Sequence, residues 1–172
     1  MSLIIEPFST INIAHLMRWV QTERELLQWA GPTFPWPLSE TFLLTHFSTN
    51  QQQRLTYQAM TTDTNCFLGM FEINLQDNET GKLSRIITAP NLRGNGIGQI
   101  MLAKGISHIF RAYPLEKIEL VVFSFNQAAI KCYQNLGFIH DRAIDTEARV
   151  FQDESWELRA MSVSRLAFKL HT

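Results

Sequence analysis

Residues 86–102, IITAPNLRGNGIGQIML, decide the fold of this chain. An apolar, strand-like run enters a turn with three alternating glycines and continues directly into an amphipathic helix. Gly94, Gly96 and Gly98 have no side chains to keep a ligand away, so the amides of the turn and of the first helical turn can converge on phosphate oxygens. Arg93 adds a cation at the rim. The segment therefore predicts an anion-binding turn, with a tight turn that only caps a helix as the alternative.

The spacing of these glycines differs from two common phosphate-binding motifs. The dinucleotide-binding fingerprint needs two residues between its second and third glycines, and only Ile97 stands there. The run of glycine, lysine and serine or threonine that defines a P-loop is also missing from the sequence. Both nucleotide-binding folds are disfavoured.

The pattern on either side of the turn predicts a mixed α/β (α+β) fold. Strands are predicted at 2–8, 54–60, 66–75, 82–89, 118–123 and 156–168, and helices at 11–20, 22–30, 40–47, 98–109 and 126–137. The strands at 54–89 suggest an antiparallel meander, and the helix after the turn joins two strands as a parallel crossover. The prediction is a largely antiparallel sheet flanked by helices, in one domain over residues 1–172.

Composition limits the classes of protein to which the chain can belong. With 172 residues, 45% of them hydrophobic, it can bury one core but is too short for two ordinary domains. Fifteen basic and sixteen acidic residues give a net charge of -1, which argues against a nucleic-acid partner. No segment suggests secretion or a membrane span, so a cytoplasmic protein is expected. No metal is expected, because metal-ligand spacing is absent from His15, His46, His108, His140 and His171.

A second motif, NQAAIKCYQNLGF at 126–138, follows a strand. Asn126 stands at the start of the predicted helix, and Tyr133 lies seven residues later on the same helical face. Gly137 is a natural left-handed end for this helix. The two separated segments point to one pocket.

Together these segments resemble the GNAT superfamily of N-acetyltransferases. Its central motif is an Arg or Gln, two residues, Gly, one residue, then Gly or Ala, which Arg93, Gly96 and Gly98 fit. The family's next block is matched in register by Asn126, Ala129, Ile130, Tyr133, Gly137 and Phe138. The resemblance implies the GNAT fold, in which two strands splay apart beside the cofactor, here RIITA at 85–89 and IELVVF at 118–123.

The resemblance also implies acetyl-CoA as the co-substrate. Its pyrophosphate is expected on the amides of residues 93–98, and its pantetheine arm is expected to pair like an extra strand with residues 86–88. The implied cofactor-binding residues are Ile86, Ile87, Thr88, Arg93, Gly94, Asn95, Gly96, Ile97, Gly98 and Asn126. Asn126 can also be a simple helix cap. Lys104 and Lys131 are weaker candidates for the 3'-phosphate.

The implied reaction is direct attack of a neutral primary amine on the thioester. Tyr133 is the candidate general acid for the departing thiolate, with packing in the core as its alternative role. The strand LSRIITA lacks the carboxylate that many relatives have there, so Glu72 on the preceding strand is the candidate base. Glu79, a water chain or an amine that arrives neutral are the alternatives.

The acceptor is expected to be a small-molecule amine or a peptide or protein N-terminus. The N-terminal helices, the loop around Phe34 and Trp36, and the last hairpin should bind it, although Trp29, Phe34 and Trp36 can instead fix the loop to the core. WAGPTFPWPLS, residues 29–39, resembles the branch that contains ribosomal-protein N-terminal acetyltransferases. A non-catalytic acyl-CoA sensor is the second interpretation, and an interaction protein with a vestigial fold is the third. A homodimer through residues 156–170 is a further expectation.

Overall fold

The structure, a computed structural model, describes residues 2–168. Its helices and strands in chain order are β1 Leu3–Pro7, α1 Ile13–Trp19, α2 Glu23–Ala30, α3 Glu40–Ser48, β2 Arg54–Thr61, β3 Phe67–Leu75, β4 Thr80–Thr88, α4 Ile97–Ala112, β5 Lys117–Phe123, α5 Gln127–Asn135, β6 Ile139–His140, β7 Arg149–Phe151, β8 Glu154–Trp156 and β9 Leu158–Ser164. Residues 169–172, with His171 and the end of the expected dimer segment, lie outside the described residues.

Seven strands form one sheet in the order β1-β2-β3-β4-β5-β9-β6, and β7 and β8 form a separate hairpin. Every neighbouring pair in the large sheet is antiparallel except β4 and β5, which are joined by the crossover helix α4. The predicted α/β architecture, with a largely antiparallel sheet and one parallel crossover, is confirmed.

The sheet has an apolar core on each face. Strand residues alternate between the faces, so Phe71 packs in the cluster that contains Ile106 of α4, while Met70 packs in the cluster that contains Leu16 of α1. All four side chains are fully buried. Helices α1–α3 therefore cover one face of the sheet, and α4 and α5 cover the other.

The predicted helix caps are present. Thr22 and Glu25 form a capping box at α2, and the Ser39 hydroxyl accepts a hydrogen bond from the Phe42 amide at the start of α3. Gly137 has a φ of +89°, the left-handed geometry predicted for the residue that ends α5. Local side-chain chemistry thus sets these helix ends.

The C-terminal part differs from the sequence prediction. The single strand predicted at 156–168 is divided, because Trp156 ends β8, Leu158 begins β9, and β9 stops at Ser164. Strand β6 and the β7–β8 hairpin are absent from the sequence prediction. The hairpin turns at Gln152 and Asp153, whose φ angles are +47° and +65°. Such turns normally carry glycine or asparagine, so Gln-Asp gave no recognisable turn signal.

Candidate active site

Strands β4 and β5 pair only at their beginnings. The paired positions are Thr80 with Lys117, Gly81 with Ile118 and Lys82 with Glu119. Beyond them, β5 continues to pair with β9 on its other side, while the β5-facing edge of β4 has no strand partner among residues 2–168. The two strands diverge into a cleft, which confirms the predicted splayed pair.

A bulge in β4 lies beside this divergence. Met70 of β3 pairs with Ile87, but Glu72 pairs with Ser84, so β4 contains one extra residue between these two pairs. Arg85 lies in the bulge with a φ of +47°, which is unusual for a side-chain-bearing residue. The bulge therefore redirects the Arg85 side chain relative to a regular strand.

The cleft has a volume of about 860 Å³ and is lined by α2, β4, β5, α5, the glycine turn and the start of α4. It brings together eleven of the residues predicted from the sequence to bind the cofactor or to act in catalysis. They are Ile86, Ile87, Thr88, Arg93, Gly94, Gly96, Ile97, Gly98, Asn126, Lys131 and Tyr133. Asn95, Lys104 and Glu72 do not line it.

The glycine turn presents a series of free backbone donors. In the part of the chain that the structure describes, the amides of residues 94–99 donate to no acceptor. Gly94 and Gly96 have φ angles of +79° and +76°, which only glycine adopts at little cost. Gly96 caps α4, whose first turn contains no acidic residue. Free amides at the positive end of a long helix attract an anion such as a phosphate.

Arg93 lies at the exposed rim of the same turn. Its Nε donates to the Thr88 carbonyl oxygen at 3.4 Å, and it forms no ion pair with any described residue. The guanidinium charge is thus available beside the free amides. The glycine turn and the Arg93 side chain together form a site suited to a diphosphate.

Tyr133 lies on α5 at the wall of the cleft and is 7% exposed. Burial raises the pKa of its phenol above the ordinary value of 10.0, and the neighbouring Cys132 adds to that rise. Its hydroxyl makes no hydrogen bond within residues 2–168. The phenol is therefore protonated at neutral pH and free to donate, as a general acid must be.

Glu72 has no exposed side-chain surface and does not line the cleft. Its Oε2 lies 2.5 Å from Nη1 of Arg85, and its Oε1 lies 2.9 Å from Nε2 of His46. Taking a proton from a bound amine would require one of these contacts to open. Its role as a base stays a prediction, as does that of Glu79, which is exposed before β4 and outside the cleft.

The Glu72 contacts belong to a network of side chains that no sequence pattern predicted. Arg85 Nη2 donates to the Thr33 hydroxyl at 3.2 Å, and the Arg85 guanidinium carbon lies 4.8 Å from the centre of the Phe34 ring. The His46 ring packs edge-on against Phe34 at 4.7 Å. These contacts fix the loop after α2. Of the two roles considered for Phe34, binding the acceptor or fixing the loop to the core, the contacts match the second. The partners are far apart in sequence, and no local spacing could have revealed them.

Asn126 caps α5, because its Oδ1 accepts a hydrogen bond from the Ala129 amide at 3.3 Å. Of the two alternatives for this residue, the helix cap is present in the structure. The side chain also borders the cleft. A contact with a bound pantetheine arm stays a prediction.

Two further properties concern the described part of the chain. Within residues 2–168, no three His, Cys, Asp or Glu side chains lie together as a metal site would require. None of the helices there combines the length and the apolar character needed to span a bilayer.

Comparison with known families identifies the class of protein. The model of the acetyltransferase (GNAT) family matches residues 23–138, a span that includes α2, the glycine turn, the splayed strands and α5. The chain belongs to the GNAT acetyltransferase family.

The curated relatives include two proteins of Bacillus subtilis. A probable spermine N(1)-acetyltransferase of subspecies natto (strain BEST195) and a spermine/spermidine N(1)-acetyltransferase of strain 168 are each 33% identical over 79 residues. Each match covers 45% of this chain and 52% of the relative. The chain thus spans about half the length of the curated relatives that it matches.

Solved structures share the fold over nearly the whole chain. The spermidine N-acetyltransferase from Vibrio cholerae, in complex with CoA and spermine, has a TM-score of 0.77 at 16% identity, with 96% of both chains covered. The aminoglycoside acetyltransferase AAC(6')-Ib, in complex with coenzyme A and kanamycin, has a TM-score of 0.71 at 16% identity, again with 96% of both chains covered. At this identity, the likeness is one of fold.

Proposed function

We propose that this chain is an acetyl-CoA-dependent N-acetyltransferase that acetylates a primary amine of a small molecule. One observation carries the proposal: the unpaired edge of β4, the free amides of residues 94–99 and the Tyr133 side chain all border one cleft. An extended, phosphate-bearing thioester needs such a backbone edge, such donors and an acid near the sulfur.

Acetyl-CoA is assigned to the cleft by the chemistry of each part. Its diphosphate would accept hydrogen bonds from the free amides of residues 94–98, and the Arg93 side chain would supply a positive charge, while the Arg93 amide already donates to the Pro90 carbonyl oxygen. Its pantetheine arm contains amides, which can pair with the β5-facing edge of β4 at Ile86, Ile87 and Thr88. Family membership supports this assignment, as do the coenzyme A complexes of the structural neighbours.

The proposed reaction is a direct transfer. The lone pair of the amine nitrogen attacks the thioester carbonyl carbon, the C–S bond breaks, and the amine nitrogen loses a proton. The Tyr133 phenol protonates the departing thiolate. Glu72 is the candidate for the amine proton if Arg85 or His46 moves away. An amine that arrives neutral, or one that transfers its proton to water, avoids that requirement.

A small-molecule acceptor is supported by the names of the curated relatives, which act on spermine or spermidine. A peptide or protein N-terminus as acceptor, a homodimer and a cytoplasmic location remain predictions for this chain.

The proposal is tested by incubating purified protein with acetyl-CoA and a panel of primary amines. Release of the CoA thiol is followed optically, and the acetylated amine is identified by mass spectrometry. Equal yields of thiol and acetyl-amine are expected for at least one acceptor. Saturable acetyl-CoA binding without turnover of any amine would contradict the enzyme and support the sensor.

A further inference from the structure

More basic than acidic side chains line the cleft. Within the described residues, its basic side chains are Lys82, Arg85, Arg93, Lys131 and Arg149, and its acidic side chain is Glu25. The whole chain has nearly equal numbers of acidic and basic residues, so the cleft differs from the average surface. A cofactor with several phosphates accounts for part of this excess.

The Oε2 atom of Glu25 already accepts local hydrogen bonds. It accepts them from the Gln21 amide at 2.8 Å, the Thr22 amide at 3.0 Å and the Thr22 hydroxyl at 3.2 Å. These contacts form the capping box that begins α2. All three contacts are made by Oε2, so the one carboxylate that lines the described cleft is partly committed to capping α2.

Two of the cations lie on the side of the sheet away from α4. Leu83 belongs to the core that contains α4, so the alternation along β4 directs Lys82 to the opposite face. That face is covered by α1–α3. Arg149 begins the β7–β8 hairpin, which is tied to α2 by an ion pair of 3.1 Å between Arg24 and Glu154. Arg93, in contrast, stands beside the phosphate-binding turn.

The positive charges of Lys82 and Arg149 have no paired acidic side chain among the described residues. Neither forms an ion pair or a side-chain hydrogen bond with any residue from 2 to 168. Arg85, by comparison, is paired with Glu72. Two unpaired cations beside a cleft attract an anionic group and repel a second ammonium group.

We infer, building on the proposed function, that the acceptor is a primary amine with an anionic group at its other end, bound by Lys82 and Arg149. Polyamines carry ammonium groups at both ends, and the described cleft offers such a molecule five basic side chains and one carboxylate, which is already held at Oε2 by the cap of α2. The same positive field favours the neutral form of the incoming amine. This chain therefore differs in acceptor chemistry from the polyamine acetyltransferases that it resembles.

The experiment compares three acceptors with similar carbon chains and different far ends. These are ε-aminocaproate with a carboxylate, pentylamine with a methyl group and cadaverine with a second ammonium. We expect kcat/KM for ε-aminocaproate to exceed that of pentylamine by about fivefold, which corresponds to about 1 kcal/mol for a partly exposed ion pair. We also expect kcat/KM for pentylamine to exceed that for cadaverine. The highest kcat/KM for cadaverine would overturn the inference.

Charge-reversal variants identify the residues responsible. Lys82→Glu and Arg149→Glu should each reverse the order of ε-aminocaproate and cadaverine while the KM for acetyl-CoA stays within about twofold. Arg111→Glu, a reversal at an exposed site on α4 outside the cleft, should keep the parental order. An unchanged order in both cleft variants would also overturn the inference.

The result for the wider amine panel separates this inference from the proposed function. If the panel is acetylated but polyamines are its best members, the proposed function stands and the acceptor assignment fails. If no amine of any charge is acetylated, the proposed function fails and the acceptor assignment fails with it.

Discussion

The Nη1 atom of Arg85 lies 2.5 Å from Oε2 of Glu72, and this contact ties the bulge of β4 to the interior of β3. His46 of α3 holds the other carboxylate oxygen, and Arg85 reaches on to Thr33. One buried carboxylate thereby joins two strands, a helix and the loop that borders the cleft. Its structural role is visible in the contacts, whereas its role as a base is a separate question for experiment.

Glu72→Gln should lower the free energy of unfolding by about 3 kcal/mol, because it leaves the partly buried Arg85 without its counter-charge. Urea denaturation followed by circular dichroism measures this change. Glu79→Gln is the matched control, since Glu79 is exposed and its removal should change stability by less than about 0.5 kcal/mol. Equal stability of both variants and the parent would contradict the structural role.

The same two variants test the base. If Glu72 accepts the amine proton, Glu72→Gln should remove the acidic limb of the pH profile of kcat. An unchanged limb, with turnover lowered by less than tenfold, would rule Glu72 out as the base and favour an amine that arrives neutral. Glu79→Gln should leave the profile unaltered.

Tyr133→Phe should lower the rate of the chemical step by about a hundredfold to ten-thousandfold, the usual contribution of a positioned acid. Its stability should change little, because the lost hydroxyl makes no hydrogen bond within the described residues. Single-turnover kinetics at saturating acetyl-CoA measure the step. Tyr113→Phe, at a tyrosine outside the cleft, is the control, and a fully active Tyr133→Phe enzyme would exclude Tyr133 as the acid.

Gly105→Ala should destabilise the fold by about 1–3 kcal/mol, the cost of overpacking a core. The added Cβ would overlap the fully buried ring of Phe71 on β3. Gly98→Ala is the matched control on the same helix, because its Cβ would lie an ordinary 3.7 Å from Thr88 Cγ2. Equal thermal unfolding midpoints for the two variants would contradict this packing.

Local sequence signals predicted the order of elements from β1 to α5 and the glycine turn that lines the cleft. The glycine turn, the Thr22–Glu25 capping box and the Asn126 cap each depend on residues close together in the chain, and they act over one or two helical turns. The β4–β5 splay followed from the family resemblance. What could be predicted was therefore either local or shared with relatives.

The features that could not be predicted from the sequence depend on contacts between distant segments or on unusual backbone geometry. Glu72 looked available from its position in β3, but His46 and Arg85 approach it only after α3 and β4 pack together. The bulge places Arg85 at positive φ, and no sequence pattern marks arginine for that conformation. The charge balance of the cleft likewise becomes visible only when Lys82 and Arg149 are seen to share it.

The most direct test of the central claim is calorimetric titration with acetyl-CoA of the parent, Gly96→Asp and Asn95→Asp. Gly96 has a φ of +76° and borders the cleft, so an aspartate there strains the turn and repels the diphosphate. Asn95 does not line the cleft, and its variant adds the same charge one residue away. We expect saturable binding by the parent, binding within about tenfold by Asn95→Asp and none by Gly96→Asp. A correctly folded parent that does not bind acetyl-CoA would contradict the account.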